Sequence, residues 1–275
     1  MNTLDFTALV ALGSFAAGLL GALTGLGGGV VIVPLLTLLF GVDIHYAIGA
    51  ALVSVIATSS GAAAAYVREG YSNIRVGMFL EVATTIGALA GAALVLYLRV
   101  SVLSVIFGVV LLYSAYVSLW EHPSPSADAK PDRIASWLRM DSTYPTPNGL
   151  EHYHVRGVPL GVVLMFVAGV LSGLLGIGSG AVKVLAMDRA MKLPFKVSTT
   201  TSNFMIGVTA AAGAGIYLSR GYIDPGLAMP VMLGVLAGSL FGARILAGAK
   251  VRVLRLVFSG VIAVLAAEMI YNGLK

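Results

Sequence analysis

The 275-residue chain has no cysteine, few charges and few aromatic residues, and each shortage narrows the classes of protein it can belong to. Without cysteine it forms neither disulfides nor thiolate metal sites, and it has no cysteine nucleophile. Only 11% of its residues are charged and 8% are aromatic, whereas 58% are hydrophobic. The mean hydropathy of +0.95 lies far above that of a soluble domain. The sequence therefore indicates a membrane protein.

Apolar stretches long enough to cross a bilayer recur along the whole chain, each close to the roughly 20 residues that a spanning helix needs. We expect that the first is not a cleaved signal peptide, because Met1 to Phe6 carries an aspartate and no Lys or Arg. The net charge of +5 comes from basic residues between the apolar stretches. This placement indicates membrane topology rather than a nucleic-acid surface, so a lipid bilayer is the expected partner and nucleic acid is not.

The two halves of the sequence repeat each other at a constant spacing. The stretch "GLGGG" at 25–29 aligns with "GIGSG" at 176–180, an offset of 176 − 25 = 151 residues. The register continues without a gap, since Tyr66 meets Tyr217 and Gly70-Tyr71 meets Gly221-Tyr222. Internal duplication is typical of transporter folds. We predict an all-α polytopic fold of two inverted five-helix repeats, about ten membrane segments in all, with glycine-broken half-helices.

Glycines, prolines and the few charges divide each half into five predicted helical segments. They lie at 7–24, 28–41, 46–67, 75–98 and 101–120, and at 158–175, 179–191, 197–218, 226–247 and 251–272. The second segment of each half has about 13 residues, too few for a comfortable span. Residues 1–121 and 158–275 are predicted to be transmembrane repeats. The polar, proline-rich linker at 122–157 is compatible with a short interfacial helix at 133–140.

The distribution of Lys and Arg predicts the orientation of the chain. If the short segments cross the membrane, 13 of the 17 basic residues lie on one side and three on the other. If the short segments are re-entrant, the same residues divide almost evenly. The crossing arrangement agrees with the positive-inside rule, which places the linker in the cytoplasm and both termini in the periplasm.

The glycine-rich breaks predict an anion site near the middle of the membrane. Half-helices beginning near Gly28 and Ser179 would direct free N–H groups and positive dipole ends toward a common region. Glycine would let a ligand approach those amides. The alternative for a glycine is close helix packing, which is favoured for Gly18, Gly21, Gly87, Gly91, Gly238 and Gly242.

The stretch "GALTGLGGGVVIVPLL", its degenerate repeat "SGLLGIGSGAVKVLAM" and the polar linker between them resemble the TauE/SafE family of membrane permeases. The resemblance covers nearly the whole chain outside the linker. It implies an anion exporter of the bacterial inner membrane, for sulfite or for organosulfonates such as sulfoacetate. This chain departs from a symmetric pattern where Ile32 is matched by Lys183 and Pro34 by Leu185.

Lys183 is the basic residue placed well inside a segment, where it could pair with the bound anion, pair with Asp188 or reach an interface. Hydroxyl and amide groups add uncharged donors, although they also cap helices and bond their own backbone. Two alternatives remain open for Glu81: it accepts protons for coupling, or it lies at the interface. The predicted substrate-binding residues are Gly27, Gly28, Gly29, Gly178, Ser179, Gly180, Lys183, Ser202, Asn203 and Thr58.

These residues predict a secondary transporter that exports a small oxyanion rather than an enzyme, and the resemblance implies that this anion is sulfite or an organosulfonate. We expect no catalytic residue, metal ligand or cofactor, since the sequence shows no catalytic triad and no phosphate-binding loop. The alternatives are a cation or metal permease, which would need carboxylates at mid-membrane, a membrane-embedded enzyme, and a structural subunit. The sequence is compatible with a homodimer and leaves the exact anion and the coupling ion open.

Overall fold

A computed structural model describes residues 3–24, 29–68, 70–119, 132–146, 149–246 and 251–275, and helices dominate it. The first half contains α1 (Thr3–Thr24), α2 (Gly29–Pro34), α3 (Ile44–Arg68), α4 (Ile74–Leu94) and α5 (Val100–Leu119). The linker contains α6 (Arg133–Trp137) and an antiparallel hairpin of β1 (Ser142–Thr146) and β2 (Gly149–Tyr153). The second half contains α7 (Val158–Leu175), α8 (Gly180–Leu185), α9 (Phe195–Ser219), α10 (Pro225–Leu246) and α11 (Val251–Leu274).

The two halves repeat one order of elements. The helices α2 and α8 begin at Gly29 and Gly180, and α3 and α9 begin at Ile44 and Phe195, so that both pairs stand 151 positions apart. Both α2 and α8 are six residues long and continue into a wider, five-residue π-helical turn, at Leu35–Leu39 and Ala186–Ala190. The proline at the end of α2 has no counterpart in α8. The widened turn is therefore common to both halves and does not depend on proline.

The predicted segments agree with the observed helices to within a few residues. The segment predicted at 46–67 is α3, and the one predicted at 197–218 is α9. The linker differs more, because its described part contains a β-hairpin as well as the short helix α6. Tyr153 at the end of β2 is buried, and Trp137 at the end of α6 is exposed.

Helices from the two halves pack against each other in exchanged pairs. The first helix of each half packs along the fourth helix of the other, which gives the pairs α1–α10 and α7–α4. The third helices, α3 and α9, pack together, and so do the fifth helices, α5 and α11. The contacts thus join the two halves, and two hydrophobic core clusters each contain residues of both halves.

Glycines bring the exchanged pairs into backbone contact. At each of seven glycines, an added Cβ atom would meet a backbone carbonyl oxygen of the partner helix. These are Gly87, Gly91, Gly169 and Gly173 at the α4–α7 crossing, and Gly18, Gly234 and Gly238 at the α1–α10 crossing. Small residues permit such close approach of helices in membranes. Four of the six glycines that the sequence assigned to packing lie at these crossings. The surroundings of Gly21 and Gly242 lie outside the described part of the chain.

Ring contacts join elements at one end of the helical bundle. The ring of Phe6 in α1 meets that of Phe40 edge to face, with centroids 5.8 Å apart. The ring of His45 at the start of α3 stacks on Tyr222, which lies between α9 and α10, with centroids 5.0 Å apart. The start of α1, the end of the first broken helix and the α9–α10 connection are therefore neighbours at this end.

The linker packs at the opposite end of α3 and α9. The side-chain amide of Asn73, which caps α4, donates to the Met140 carbonyl (2.8 Å) and to the Tyr153 hydroxyl (2.7 Å). Burial raises the pKa of Tyr153 to about 12, against a smaller lowering by the hydrogen bond from Asn73. The Arg156 amide donates to the Met191 carbonyl (3.0 Å), so the loop before α9 lies here too.

The exterior of the bundle is apolar. Large side chains such as Leu12, Val82, Val163 and Leu240 are more than half exposed. By length and composition, two helical stretches in the described residues could cross a membrane, Ile74–Tyr97 and Val158–Leu175. Shorter apolar stretches lie in α1, α3, α5, α10 and α11 and at Gly29–Leu39. An apolar exterior of this kind suits a lipid environment.

Candidate anion site at the second glycine break

The second break turns the chain by left-handed backbone conformations. The helix α7 ends at Gly176, whose φ is +69°, and Gly178 (φ +70°) and Ser179 (φ +48°) precede α8. Glycine adopts this region freely, because it has no Cβ atom. For serine the same conformation costs about 1–2 kcal/mol, so the surrounding structure must hold it. The break is therefore a fixed turn built into the packed core.

The beginning of α2 lies against this second break. A Cβ atom at Gly29 would be 3.3 Å from the Gly176 carbonyl oxygen and 3.7 Å from the Ile177 Cα atom. A Cβ atom at Gly178 would contact Val55 of α3, 3.3 Å away, as well as Ile206 of α9. Of the predicted site glycines, the structure thus brings together Gly29, Gly178 and the start of α8 at Gly180. Gly27 and Gly28 lie outside the described residues.

Lys183 is completely buried one turn into α8. Its Nζ atom donates a hydrogen bond of 2.6 Å to the Thr209 hydroxyl of α9. The Thr209 hydroxyl in turn donates to Glu81 Oε1 of α4, also over 2.6 Å. An ammonium group is thus joined to a carboxylate through one hydroxyl, by residues from three helices. Sequence reasoning named Asp188 as the structural partner of Lys183, but this chain of hydrogen bonds leads to Glu81.

Glu81 lies inside the protein rather than at an interface, with 6% of its surface exposed. Its Oε1 atom accepts hydrogen bonds from Thr209 and from Thr85 (3.3 Å). Its Oε2 atom is buried and has no hydrogen-bond partner within the described residues. Buried charges are normally paired, and Lys183 supplies the opposite charge here. One carboxylate oxygen is therefore left free to take up a proton.

The uncharged candidates occupy different surroundings. The Ser202 hydroxyl is buried and approaches the Gly180 carbonyl of α8 at 3.4 Å. The Thr58 hydroxyl donates to carbonyls of its own helix, the alternative that sequence reasoning weighed for such groups. Asn203 is half-buried on α9. The Ser179 hydroxyl, in the break itself, is buried without a hydrogen-bond partner among the residues that the structure describes.

These groups can hold an anion. The ammonium of Lys183, the Ser179 hydroxyl and the backbone N–H groups at the start of the helix 180–190 are hydrogen-bond donors in or next to the second break. Sequence reasoning missed Thr209 as a partner of Lys183. Thr209 and Met205 are four residues apart and therefore lie on one face of α9, but this spacing does not identify the helix that the face meets.

Comparisons with known proteins agree with the membrane assignment. Residues 10–269 match the protein family described as sulfite exporter TauE/SafE. The chain is 29% identical to the probable membrane transporter protein YunE of Bacillus subtilis over 98% of its own length and 99% of the relative's.

It is also 29% identical to the probable membrane transporter protein YdhB of the same species, over 86% of this chain and 89% of the relative. A probable membrane transporter protein of Methanocaldococcus jannaschii, MJ0441, is 24% identical over 93% of this chain and 92% of its own. No solved structure matches the chain significantly. Because the family match extends over nearly the whole sequence, the chain belongs to the TauE/SafE sulfite exporter family of membrane transporters.

Proposed function

We propose that the protein is a secondary transporter that exports a small oxyanion, sulfite or an organosulfonate, across the bacterial inner membrane. The observation that carries this proposal is the fully buried ammonium of Lys183 beside a glycine break. A buried charge on a membrane helix is costly, so its presence points to a function. The family description, sulfite exporter, names an anion that this donor set could hold.

The proposed site binds one oxyanion through donors of three kinds. Lys183 supplies the positive charge, the Ser179 hydroxyl supplies an uncharged donor, and the amides at the start of the second broken helix supply backbone donors. Glycine at 178 is required by packing, because a Cβ atom there would contact Ile206 and Val55, and a side chain at this position could not be accommodated next to these amides. Ser202, which approaches the Gly180 carbonyl, would hold the start of α8 in place.

The site is asymmetric although the fold repeats. At the repeat spacing of 151 residues, Lys183 corresponds to Ile32 and Glu81 to Met232, while Thr209 corresponds to Thr58. The charged residues therefore come from the second half and from α4 of the first half, whereas the start of α2 lines one side of the site. We infer a single anion site for each chain.

The proposed orientation places the linker in the cytoplasm and both termini in the periplasm. It rests on the 13 basic residues that this arrangement assigns to the cytoplasmic side. The contacts of Asn73 and Arg156 support it, since they join loops assigned to that side. A membrane potential that is negative inside favours the exit of one negative charge by about 2.3 kcal/mol per 100 mV. Export down this potential requires no ATP.

The test is binding of radiolabelled sulfite to the purified protein. We expect Lys183→Arg to retain part of the affinity, because the charge remains. We expect Lys183→Met to lose at least about tenfold, or about 1.4 kcal/mol. Lys196→Met is the matched control, since Lys196 is exposed on α9. Normal sulfite binding by Lys183→Met would refute the site.

Removal of Lys183 also affects the fold. If Lys183 had no partner, its replacement by methionine would be expected to leave the stability of the fold equal or higher. The structure changes this expectation, because Glu81 would remain buried without its counter-charge, which is strongly destabilising. The double variant Lys183→Met/Glu81→Gln has no such charge. We therefore expect this variant to fold, so that the loss of sulfite binding can be measured with it.

A cation permease is the second candidate, and the buried carboxylate of Glu81 is the observation that favours it. A cation bound at Glu81 would have to compete with the positive charge of Lys183 for the carboxylate. The anion is therefore the better fit. Competition decides between the two. Displacement of bound sulfite by sulfonates supports the anion site, whereas binding of divalent cations that Glu81→Gln abolishes would support the permease.

A further inference from the structure

We propose that anion binding at Lys183 is coupled to the uptake of one proton by Glu81, because the Glu81 carboxylate and the transported anion compete for the same ammonium group. This inference rests on the proposed anion site and names its coupling ion as the proton. In the substrate-free protein, Glu81 serves as the internal counter-anion that the substrate replaces.

The geometry supports a shared ammonium. An ammonium group has three N–H donors, and within the described residues Lys183 Nζ has one hydrogen-bond acceptor, Thr209 Oγ1. The single Thr209 proton has two acceptors within reach, Glu81 Oε1 at 2.6 Å and the Met205 carbonyl at 3.0 Å. The shorter bond goes to the carboxylate. Glu81 thus reaches Lys183 through a hydroxyl, and donors on the ammonium remain available for a ligand.

The pair consists of opposite charges linked through one hydroxyl. Lys183 Nζ donates to Thr209, and Thr209 donates to Glu81. The helix α7, which packs along α4, has no ionisable residue in its sequence. Other ionisable side chains on elements that pack against α4, α8 and α9 include Arg75 on α4, Tyr97 after α4, His45 and Tyr46 at the start of α3, Tyr113 and Tyr116 on α5, Lys196 and Tyr217 on α9, and Asp188 and Arg189 after α8.

Charge balance requires the proton. Without substrate, one carboxylate faces one ammonium, and the buried site is neutral. A bound anion would add a second negative charge against the same ammonium, and an uncompensated buried charge is strongly disfavoured. The Glu81 Oε2 atom, which is buried without a partner among the described residues, can form the new O–H bond with a proton from solvent. With a singly charged anion, such as a sulfonate, the loaded site is then neutral again.

This coupling has a consequence for transport. The site carries one proton with each anion, and both are released together on the other side. With a sulfite dianion the loaded site keeps one net negative charge, and the dianion and its proton leave with that charge, which the membrane potential drives outward. A singly charged sulfonate leaves without net charge, so its export would be insensitive to the membrane potential.

The experiment measures sulfite affinity and proton uptake with the purified full-length protein over about two pH units around neutrality. Wild type is compared with Glu81→Gln, and Glu268→Gln is the matched control, because Glu268 is exposed on α11. Protons that sulfite itself binds or releases are the same for all three proteins and cancel in the comparison. Glu81→Gln is purified in sulfite, which is then removed, so that the loss of the carboxylate does not prevent folding.

We expect wild type to take up about one proton more per bound sulfite than Glu81→Gln does. Relative to Glu81→Gln, its affinity should rise about tenfold for each pH unit of acidification, as linkage requires. Glu268→Gln should match wild type. Substrate-free Glu81→Gln should unfold at a lower temperature than wild type, and sulfite should restore its stability by replacing the lost counter-anion.

Two results would contradict the coupling, and they differ from failure of the proposed function. Equal proton uptake by wild type and Glu81→Gln, with sulfite still bound, would refute the role of Glu81 alone. A substrate-free Glu81→Gln as stable as wild type would show that the carboxylate is not the counter-anion of Lys183. If wild type bound no sulfite at all, the proposed function itself would be wrong, and the coupling with it.

Discussion

Replacement of Gly87 by alanine should destabilise the protein through one methyl group at the α4–α7 crossing. The added Cβ atom would meet the Phe166 carbonyl oxygen, and it would lie 3.0 Å from the Val170 amide nitrogen and 3.2 Å from the Gly169 Cα atom. All three neighbours are backbone atoms, so no rotamer change can relieve the contact. The two helices would have to separate.

The expected cost follows from two opposing effects. Restoring van der Waals contact needs a separation of about 1 Å, which also loosens the neighbouring contacts of Gly91 and Gly173. Overpacking of this kind costs about 1–3 kcal/mol. Alanine recovers up to about 1 kcal/mol through its higher helix propensity. We therefore expect a net loss of about 1–2 kcal/mol in the free energy of unfolding.

The assay is thermal unfolding of the purified protein in detergent. Gly215→Ala is the matched control, because Gly215 is exposed on α9 and a Cβ atom there has no neighbour within 4 Å. It should leave the unfolding temperature unchanged or raise it. If Gly87→Ala were as stable as wild type while Gly215→Ala behaved as expected, the helices would not be in the backbone contact described, and the packing argument would be wrong.

Two further predictions concern topology and the linker. Single cysteines at Thr3, Ser126 and Asn272 should react with an impermeant thiol reagent in intact cells at the first and last positions only, and labelling at Ser126 would contradict a cytoplasmic linker. The neutral phenol of Tyr153 should stabilise linker docking below pH 10 and lose this contribution as the pH rises toward about 12, because burial raises its pKa in the folded state alone. The tyrosinate absorbance of wild type minus that of Tyr153→Phe should therefore show a midpoint near pH 12, whereas a midpoint near 10 would show that Tyr153 is exposed.

The helices could be predicted because their limits are local. Glycine and proline end helices wherever they stand, and the duplication gives each limit twice, so α3 and α9 were predicted to within two residues at each end. The polar, proline-rich composition of the linker did not predict its hairpin, because proline is typical of loops. The Asn148-Gly149 pair in the linker is a hairpin signature, and it could have indicated the two strands on either side.

The partners of Lys183 could not be predicted, because they depend on which helices pack together. Its chemistry, a buried charge needing an opposite charge, was evident from the sequence. Asp188 was the carboxylate closest along the chain, whereas Glu81 stands 102 positions away on α4. The link between them runs through Thr209 on a third helix. Periodicity places each residue on a face of its own helix, but it does not identify the helix that this face meets.

The glycine crossings limit how the molecule can move. Where backbones touch, as in α1 with α10 and α4 with α7, two helices cannot slide or separate without breaking contacts that no side chain can replace. Each pair must therefore rotate or tilt as one rigid body. Because each pair takes one helix from either half of the sequence, the moving parts of this transporter are not its two repeats. Exposure of the site to alternate sides would require these mixed pairs to tilt relative to α3 and α9.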